Sequence, residues 1–262
     1  MILVKNLKIH SEDDLSLRLD IPSLEFEKNK VNILLGPNGG GKSTLLDCLS
    51  LNLPLDGPGR EGQIFIEDRE LSKYSYHDLS LKMSYIPQQL DWNHSFKVED
   101  ILNFSVFPRS QKNELTNIDR KQLDEICELL EIQKFRNRLF SHLSGGEQKR
   151  VSIACSLFQG TDYILIDEPF AALDPIYKKK VAKVVIDWQK KYQTTFILCV
   201  HELNLASLMG DRFLSLKEGQ LVKESSRLTK EDLSSLFETP FEIFSKGEDQ
   251  IFFAYSKGDL HE

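Results

Sequence analysis

The run Gly36-Pro37-Asn38-Gly39-Gly40-Gly41-Lys42-Ser43-Thr44 fits the pattern G-x-x-x-x-G-K-[ST], whose chemistry is that of a phosphate cradle. Glycines let several backbone N–H groups converge on one anion, and a helix starting near Lys42 adds the positive end of its dipole. Lys42 is placed to reach the β- and γ-phosphates of a nucleotide, and the Ser43 hydroxyl to ligate Mg²⁺.

A second group of chemically capable residues closes the segment Tyr163-Ile164-Leu165-Ile166-Asp167-Glu168. Alternation along a strand aims its two terminal carboxylates in different directions, so they can do different work. Asp167 can hold a Mg²⁺ shell, while Glu168 can act as general base on a water in line with a γ-phosphate. Taken alone, adjacent acids after a strand are also common at helix starts. A third group, Leu143-Ser144-Gly145-Gly146-Glu147, predicts a helix start capped by Ser144, with glycines that permit close backbone approach.

These groups need a scaffold, and its outline is readable. Alternating segments at Leu3 to Ile9 and Leu15 to Ile21 predict an N-terminal β-region, and the continuous apolar run Val31 to Leu35 predicts a central strand leading into the cradle. Ser43 to Leu51 reads as helix, Gln63 to Glu67 as strand, and Met83 to Ile86 as a short strand stopped by Pro87. Composition then shifts: residues 89–158 predict an inserted helical subdomain, with Leu123, Ile126, Cys127, Leu129 and Leu130 on one apolar stripe. The α/β core, 1–88 and 159–225, resumes at Tyr163. Asp174-Pro175 caps a helix whose buried stripe is Tyr177, Val181, Val184, Val185 and Trp188. Uninterrupted apolar runs such as Phe196 to Val200 suit parallel strands covered on both faces. Phe213 to Leu216 and Gln220 to Val222 flank Glu218-Gly219 as a hairpin. The extension 226–262 is expected to hold one helix and one strand, Gln250 to Tyr255.

Composition sets limits on partners. The formal charge of −7 argues against broad attraction to nucleic acid or anionic lipid, which carry the same sign. No run of about 18 apolar residues is present, and Met1 to His10 alternates where a signal peptide would be uninterrupted, so the expected compartment is the cytosol. Cys48, Cys127, Cys155 and Cys199 are scattered and read as reduced packing thiols.

In order, the chain presents a phosphate cradle, a lone glutamine after a strand (Gln88), Leu-Ser-Gly-Gly, an acidic strand end and a later histidine (His201). That order resembles the ATP-binding subunit of an ABC transporter over nearly the whole chain. The resemblance implies an α/β P-loop NTPase fold: an ABC-type ATPase core with an N-terminal antiparallel β-subdomain and an inserted helical subdomain. It also implies ATP and Mg²⁺ as cofactors. Gln88 takes the role of the Q-loop glutamine that senses Mg²⁺ and lytic water, His201 that of the switch histidine on the γ-phosphate, and Ala171 to Asp174 that of the D-loop. Ser144, Gly145 and Gly146 would contact ATP held by the opposite copy, so a head-to-tail homodimer is part of the chemistry.

Two departures from the family pattern stand out. Glu147 replaces the usual glutamine of the signature, and the stretch Lys8 to Asp14, where an adenine-stacking aromatic is expected, offers only His10. Segment 64–88 and the extension resemble the subclass that powers import of iron chelates, haem or cobalamin. The implied partners are transmembrane permease subunits and a separate substrate-binding protein, with no nucleic acid. The implied location is the cytoplasmic face of the cell membrane, with Trp92, Phe96 and Val98 as candidate contacts. A soluble ATPase of DNA repair or translation, and a weakly hydrolysing regulatory module, are the alternatives.

Overall fold

The computed structural model describes residues 1–11, 16–89, 95–109, 115–246 and 249–255. They group into two units, Met1–Lys73 with Ile197–Glu262, and Tyr74–Phe196. The first unit opens with β1 (Ile2–His10), β2 (Leu17–Phe26), β3 (Val31–Leu35), α1 (Lys42–Leu49), β4 (Arg60–Ile66) and β5 (Arg69–Glu70). Four of these strands form an antiparallel sheet in the order β2-β1-β4-β5. Alternation in β1 changes phase halfway: Ile2 and Val4 are buried, then Leu7 and Ile9. Asn6 explains the slip, because its φ of 48° inserts a bulge where the register to β4 skips between Lys5 and Lys8. All five side chains of β3 are buried, and Asn32, the one polar residue in the run, satisfies its amide by donating to Glu27 O at 3.0 Å.

The second unit contains α2 (Tyr76–Lys82), β6 (Met83–Ile86), α3 (Val98–Phe104), α4 (Asn117–Leu129), α5 (Gly145–Gln159), β7 (Tyr163–Asp167) and α6 (Pro175–Tyr192). β6 and β7 pair in parallel from Met83↔Tyr163 to Ile86↔Ile166. α5 is buried on most of its surface and packs against α3, α4 and β6. The apolar stripe of α4 comprises Leu123, Ile126, Cys127 and the cap residue Leu130, at the i, i+3, i+4, i+7 spacing of one helix face. Leu129, expected on that stripe, points away and is 44% exposed, since it lies about 100° around the helix from Leu130. On α6, Val181, Val184, Val185 and Trp188 are buried, and Tyr177 is half-buried under a guanidinium.

That guanidinium belongs to Arg150, a buried residue of α5. Its Nη1 donates to the carbonyls of Leu130 at 2.8 Å and Glu131 at 3.1 Å, closing the C-terminal end of α4, while Cζ sits 3.9 Å from the centre of the Tyr177 ring. One side chain thus joins three helices. Arg150→Ala should cost about 2–4 kcal/mol, because it removes a desolvated cation–π contact and strands one buried and one partly buried carbonyl. Urea unfolding measures this, and a loss below about 1 kcal/mol would show that the contacts contribute little.

The chain passes from the second unit into the first within β8 (Thr195–Cys199), and continues through α7 (Leu203–Met209), β9 (Arg212–Lys217), β10 (Gln220–Ser225), α8 (Lys230–Phe237), β11 (Phe241–Lys246) and β12 (Asp249–Ala254). β9 runs parallel to β3, with Asn32↔Arg212, and antiparallel to β10. Glu218 and Gly219, at φ 50° and 77°, make the expected two-residue turn. Val200 N–H donates to Leu34 O at 3.2 Å, so the end of β8 lies beside β3. The extension differs from expectation: it holds a hairpin of two strands, β11 and β12, where the sequence suggested one. No helix among the described residues is long and apolar enough to cross a membrane.

Candidate active site

Within the first unit, β3 ends directly at the glycine-rich loop and α1 begins at Lys42. Gly36 has φ 147°, and a Cβ there would lie 1.9 Å from the Leu216 carbonyl oxygen of β9, so only glycine lets the loop leave β3 beside that strand. The cap of α1 is Gly41, which supplies no side-chain acceptor, and no acidic residue occupies the first turn. Amides at that helix end therefore face no built-in anion, the arrangement suited to binding one from outside. Lys42 is buried, with Nζ donating to the carbonyls of Gly36 at 2.8 Å and Pro37 at 2.9 Å, so its ammonium lies over the loop. Ser43 and Thr44 follow in the first turn, and Pro37, Asn38, Gly39 and Gly40 complete the loop. His201 lies exposed just beyond β8, one residue after the Val200–Leu34 bond that ties it to the strand feeding the cradle. The candidate adenine contact, His10, ends β1. Its N–H donates to Gly59 O at 2.8 Å, and its ring Nδ1 is 3.3 Å from the same oxygen. Asp14 lies outside the described residues.

The second unit holds the carboxylates. β7 is buried throughout and delivers Asp167 at its end, also buried; Glu168 follows at φ 52°. A left-handed conformation at a non-glycine residue costs about 1–2 kcal/mol, and residues so held cluster where geometry matters for chemistry. Here it turns Glu168 so that its Oε1 accepts from Gln88 Nε2 at 2.9 Å. Gln88, after β6, and the acid after β7 are thereby brought together at the ends of two strands that pair in parallel.

Ser144 caps α5. Its N–H and hydroxyl both donate to Glu147 Oε2, at 2.8 and 3.0 Å, and its Oγ accepts from Glu147 N–H. This reciprocal box accounts physically for glutamate at position 147. The Ser144 N–H holds the Glu147 carboxyl below the usual carboxylate range, aided by the Ser144 hydroxyl and opposed by burial. Gly145 is exposed. Gly146 is needed for close approach, since a Cβ there would lie 2.6 Å from Ala172 O. Asp174 caps α6, accepting from the N–H groups of Ile176 at 3.0 Å and Tyr177 at 3.1 Å.

One polar group near the carboxylates escaped sequence reading. Lys149 of α5 is only 4% exposed, and its Nζ donates to Asp167 O at 2.9 Å. Burial pulls its pKa down to about 8, against the upward influence of the Asp167 and Glu168 charges. The available signal was a lysine at the head of a run, Val151 to Phe158, whose helix is apolar on nearly all sides. Cys48, Cys127 and Cys155 are buried, which pushes each thiol up to about 12 and keeps it protonated and unreactive; Cys199 is buried as well.

Mg²⁺ favours hard oxygen ligands and retains several waters, leaving only a few positions for protein. A serine hydroxyl, a carboxylate and a carboxamide oxygen, as in Ser43, Asp167 and Gln88, are of that chemical class. Among the described residues no three His, Cys, Asp or Glu side chains converge into a metal cage.

Comparison with known proteins gives a consistent set. A model of the ABC transporter family matches residues 19–171. The petrobactin import ATP-binding protein YclP of Bacillus subtilis is 32% identical over 206 residues, covering 79% of this chain and 80% of YclP. The hemin import ATP-binding protein HmuV of Streptomyces coelicolor is 31% identical over 229 residues, covering 86% of this chain and 80% of HmuV. A bacterial ABC transporter cassette solved as a dimer superimposes with a TM-score of 0.76 at 25% identity, covering 87% of this chain and all of that one.

Proposed function

This chain belongs to the ABC transporter family, and we propose that it is the ATP-hydrolysing subunit of a bacterial importer for iron-siderophore, haem or a related metal chelate. Its fold is the P-loop cassette of ABC ATPases. The loop from Gly36 to Gly41 carries the proposal most directly: a helix start with no side-chain cap and no acid in its first turn, with a buried lysine lying across the loop, is built to hold a nucleotide's phosphates. Similarity to siderophore and hemin import proteins supports the importer class.

Each site residue takes a role that its chemistry allows. Lys42 neutralises phosphate charge, and the backbone of residues 36–44 cradles the phosphate oxygens. Glu168 accepts a proton from the attacking water, Gln88 orients that water and the carboxylate, and His201 donates to the γ-phosphate. Mg²⁺, when bound, neutralises charge developing on the phosphate oxygens; Ser43, Asp167 and Gln88 are the residues proposed to hold it. Ser144, Gly145, Gly146 and Asp174 serve the nucleotide of a second copy, which makes the working form a homodimer.

Residues 89–158 form the proposed helical subdomain, and its outer surface is the proposed seat of the permease. Phe96, Phe104 and Phe107 are 42, 41 and 45% exposed. The first two rings meet edge to face at 5.4 Å, and Phe104 lies 5.2 Å from Phe107. Contiguous exposed aromatics of this kind mark binding surfaces. Val98 is buried and serves packing, and Trp92 lies outside the described residues. A membrane-embedded permease would hold the chain peripherally at the cytoplasmic face, with a separate substrate-binding protein on the far side.

Purified protein should release phosphate from ATP in the presence of Mg²⁺ and stop on chelation. Co-expressed with the permease of its own gene cluster, it should remain attached through detergent extraction. A chain that retains ATPase activity but never associates with that permease would overturn the transporter assignment in favour of a repair or translation ATPase.

A further inference from the structure

Lys149 makes a connection that no role above assigns. It stands five positions beyond Ser144 on α5, and its ammonium reaches two main-chain carbonyls: that of Asp167 at 2.9 Å and that of Pro87 at 3.5 Å. Each carbonyl belongs to the residue immediately before a side chain proposed for hydrolysis, since Glu168 follows Asp167 and Gln88 follows Pro87. The two side chains then meet through the 2.9 Å bond from Gln88 Nε2 to Glu168 Oε1.

We propose that Lys149 is a positioning residue for ATP hydrolysis: its buried ammonium ties the backbone entering Gln88 to the backbone entering Glu168, and so sets the geometry in which carboxamide and carboxylate meet. The inference rests on the assignment of Glu168 and Gln88 to hydrolysis.

Three features support the role. The side chain is buried, so its charge is not a solvated surface charge, and desolvating an ammonium is unfavourable unless its donors are used. Its partners are the ends of two neighbouring strands, which a short clamp can hold in register. Glu168, at φ 52°, occupies a backbone conformation that its surroundings must enforce, and the carbonyl directly before it is the one Lys149 grips. Fixing a reacting group within a fraction of an ångström is worth large factors in rate, and a misplacement of about 1 Å can cost about 100-fold.

Lys149→Met keeps the stem and removes the donors; Lys149→Gln keeps a neutral N–H donor. For Lys149→Met, kcat for ATP should fall by about 10- to 100-fold while KM stays within about twofold. Lys149→Gln should recover most of the loss, since a donor rather than a charge is what the carbonyls need. Combining Lys149→Met with Gln88→Ala should cost much less than the product of the two separate losses, because both act through the placement of Glu168. If the methionine variant fails to fold, the same cycle is run with Lys149→Ala, which also removes the donors.

Unchanged kcat, multiplicative losses in the cycle, or a rise in KM without a fall in kcat would each overturn the positioning role. The two levels of inference separate cleanly. A Glu168→Gln protein that hydrolyses ATP at the wild-type rate refutes the underlying assignment, whereas an inactive Glu168→Gln beside a fully active Lys149→Met refutes the role of Lys149 alone.

Discussion

Replacing Glu168 by glutamine should slow phosphate release from ATP by about 10²- to 10⁴-fold, the range for removing a positioned general base. Nucleotide binding should persist, because the amide is isosteric and the phosphates are held by the loop at residues 36–44. Gln88 Nε2 can still donate to the remaining oxygen, so the local geometry survives and the loss reports chemistry. With hydrolysis blocked and ATP retained, the proposed homodimer should accumulate, visible as a shift from monomer to dimer on gel filtration with ATP. Comparable rates for the two proteins would mean that phosphate release does not depend on this carboxylate, and the regulatory alternative would take its place.

Lys42→Ala should produce a different failure, with binding itself lost. The ammonium is buried and already lies against the loop, where its partners are two carbonyl oxygens. Removing it subtracts a full positive charge from the place where a triphosphate would concentrate negative charge in a partly desolvated setting. A charge-assisted contact of that kind is worth about 1.5–3 kcal/mol, or about 10- to 100-fold in affinity. Equilibrium binding of a fluorescent ATP analogue provides the measurement. Retained affinity with lost turnover would shift Lys42 from binding to chemistry alone.

Much of this arrangement was legible in the residues themselves. Predominantly apolar runs at β3 and β7 identified buried strands because a parallel strand covered on both faces has no polar side to alternate, Asn32 being the exception in β3. The cradle was legible because a glycine pattern, a lysine and a hydroxyl at fixed offsets between a strand and a helix have one chemical use. Other features depended on contacts that spacing does not encode. Leu129 was placed on the wrong face because apolar residues were grouped by proximity in sequence instead of by helical angle. β11 was missed because Phe241 to Phe244 reads as a mixed segment until β12 pairs with it. Lys149 went unremarked because a lysine on a helix is ordinarily a solvated charge, and only the approach of two strand ends to α5 turns it into a buried donor. Glu147 looked like a departure from the family pattern, and its bonds to Ser144 identify it as the other half of a helix cap.

The first unit is assembled from two stretches of chain that the whole of the second unit separates. β3 pairs with β9, and Val31 N–H donates to Asp211 Oδ2, across 180 residues of sequence. On a ribosome adding about 5–20 residues per second, that partner emerges roughly 10 to 40 s after β3 does. For that interval the newborn protein displays a strand that is apolar except for Asn32, with no β9 beside it, and the contiguous Tyr74–Phe196 segment is completed only near its end. Chaperone dependence and inclusion-body formation during overexpression should therefore trace to β3.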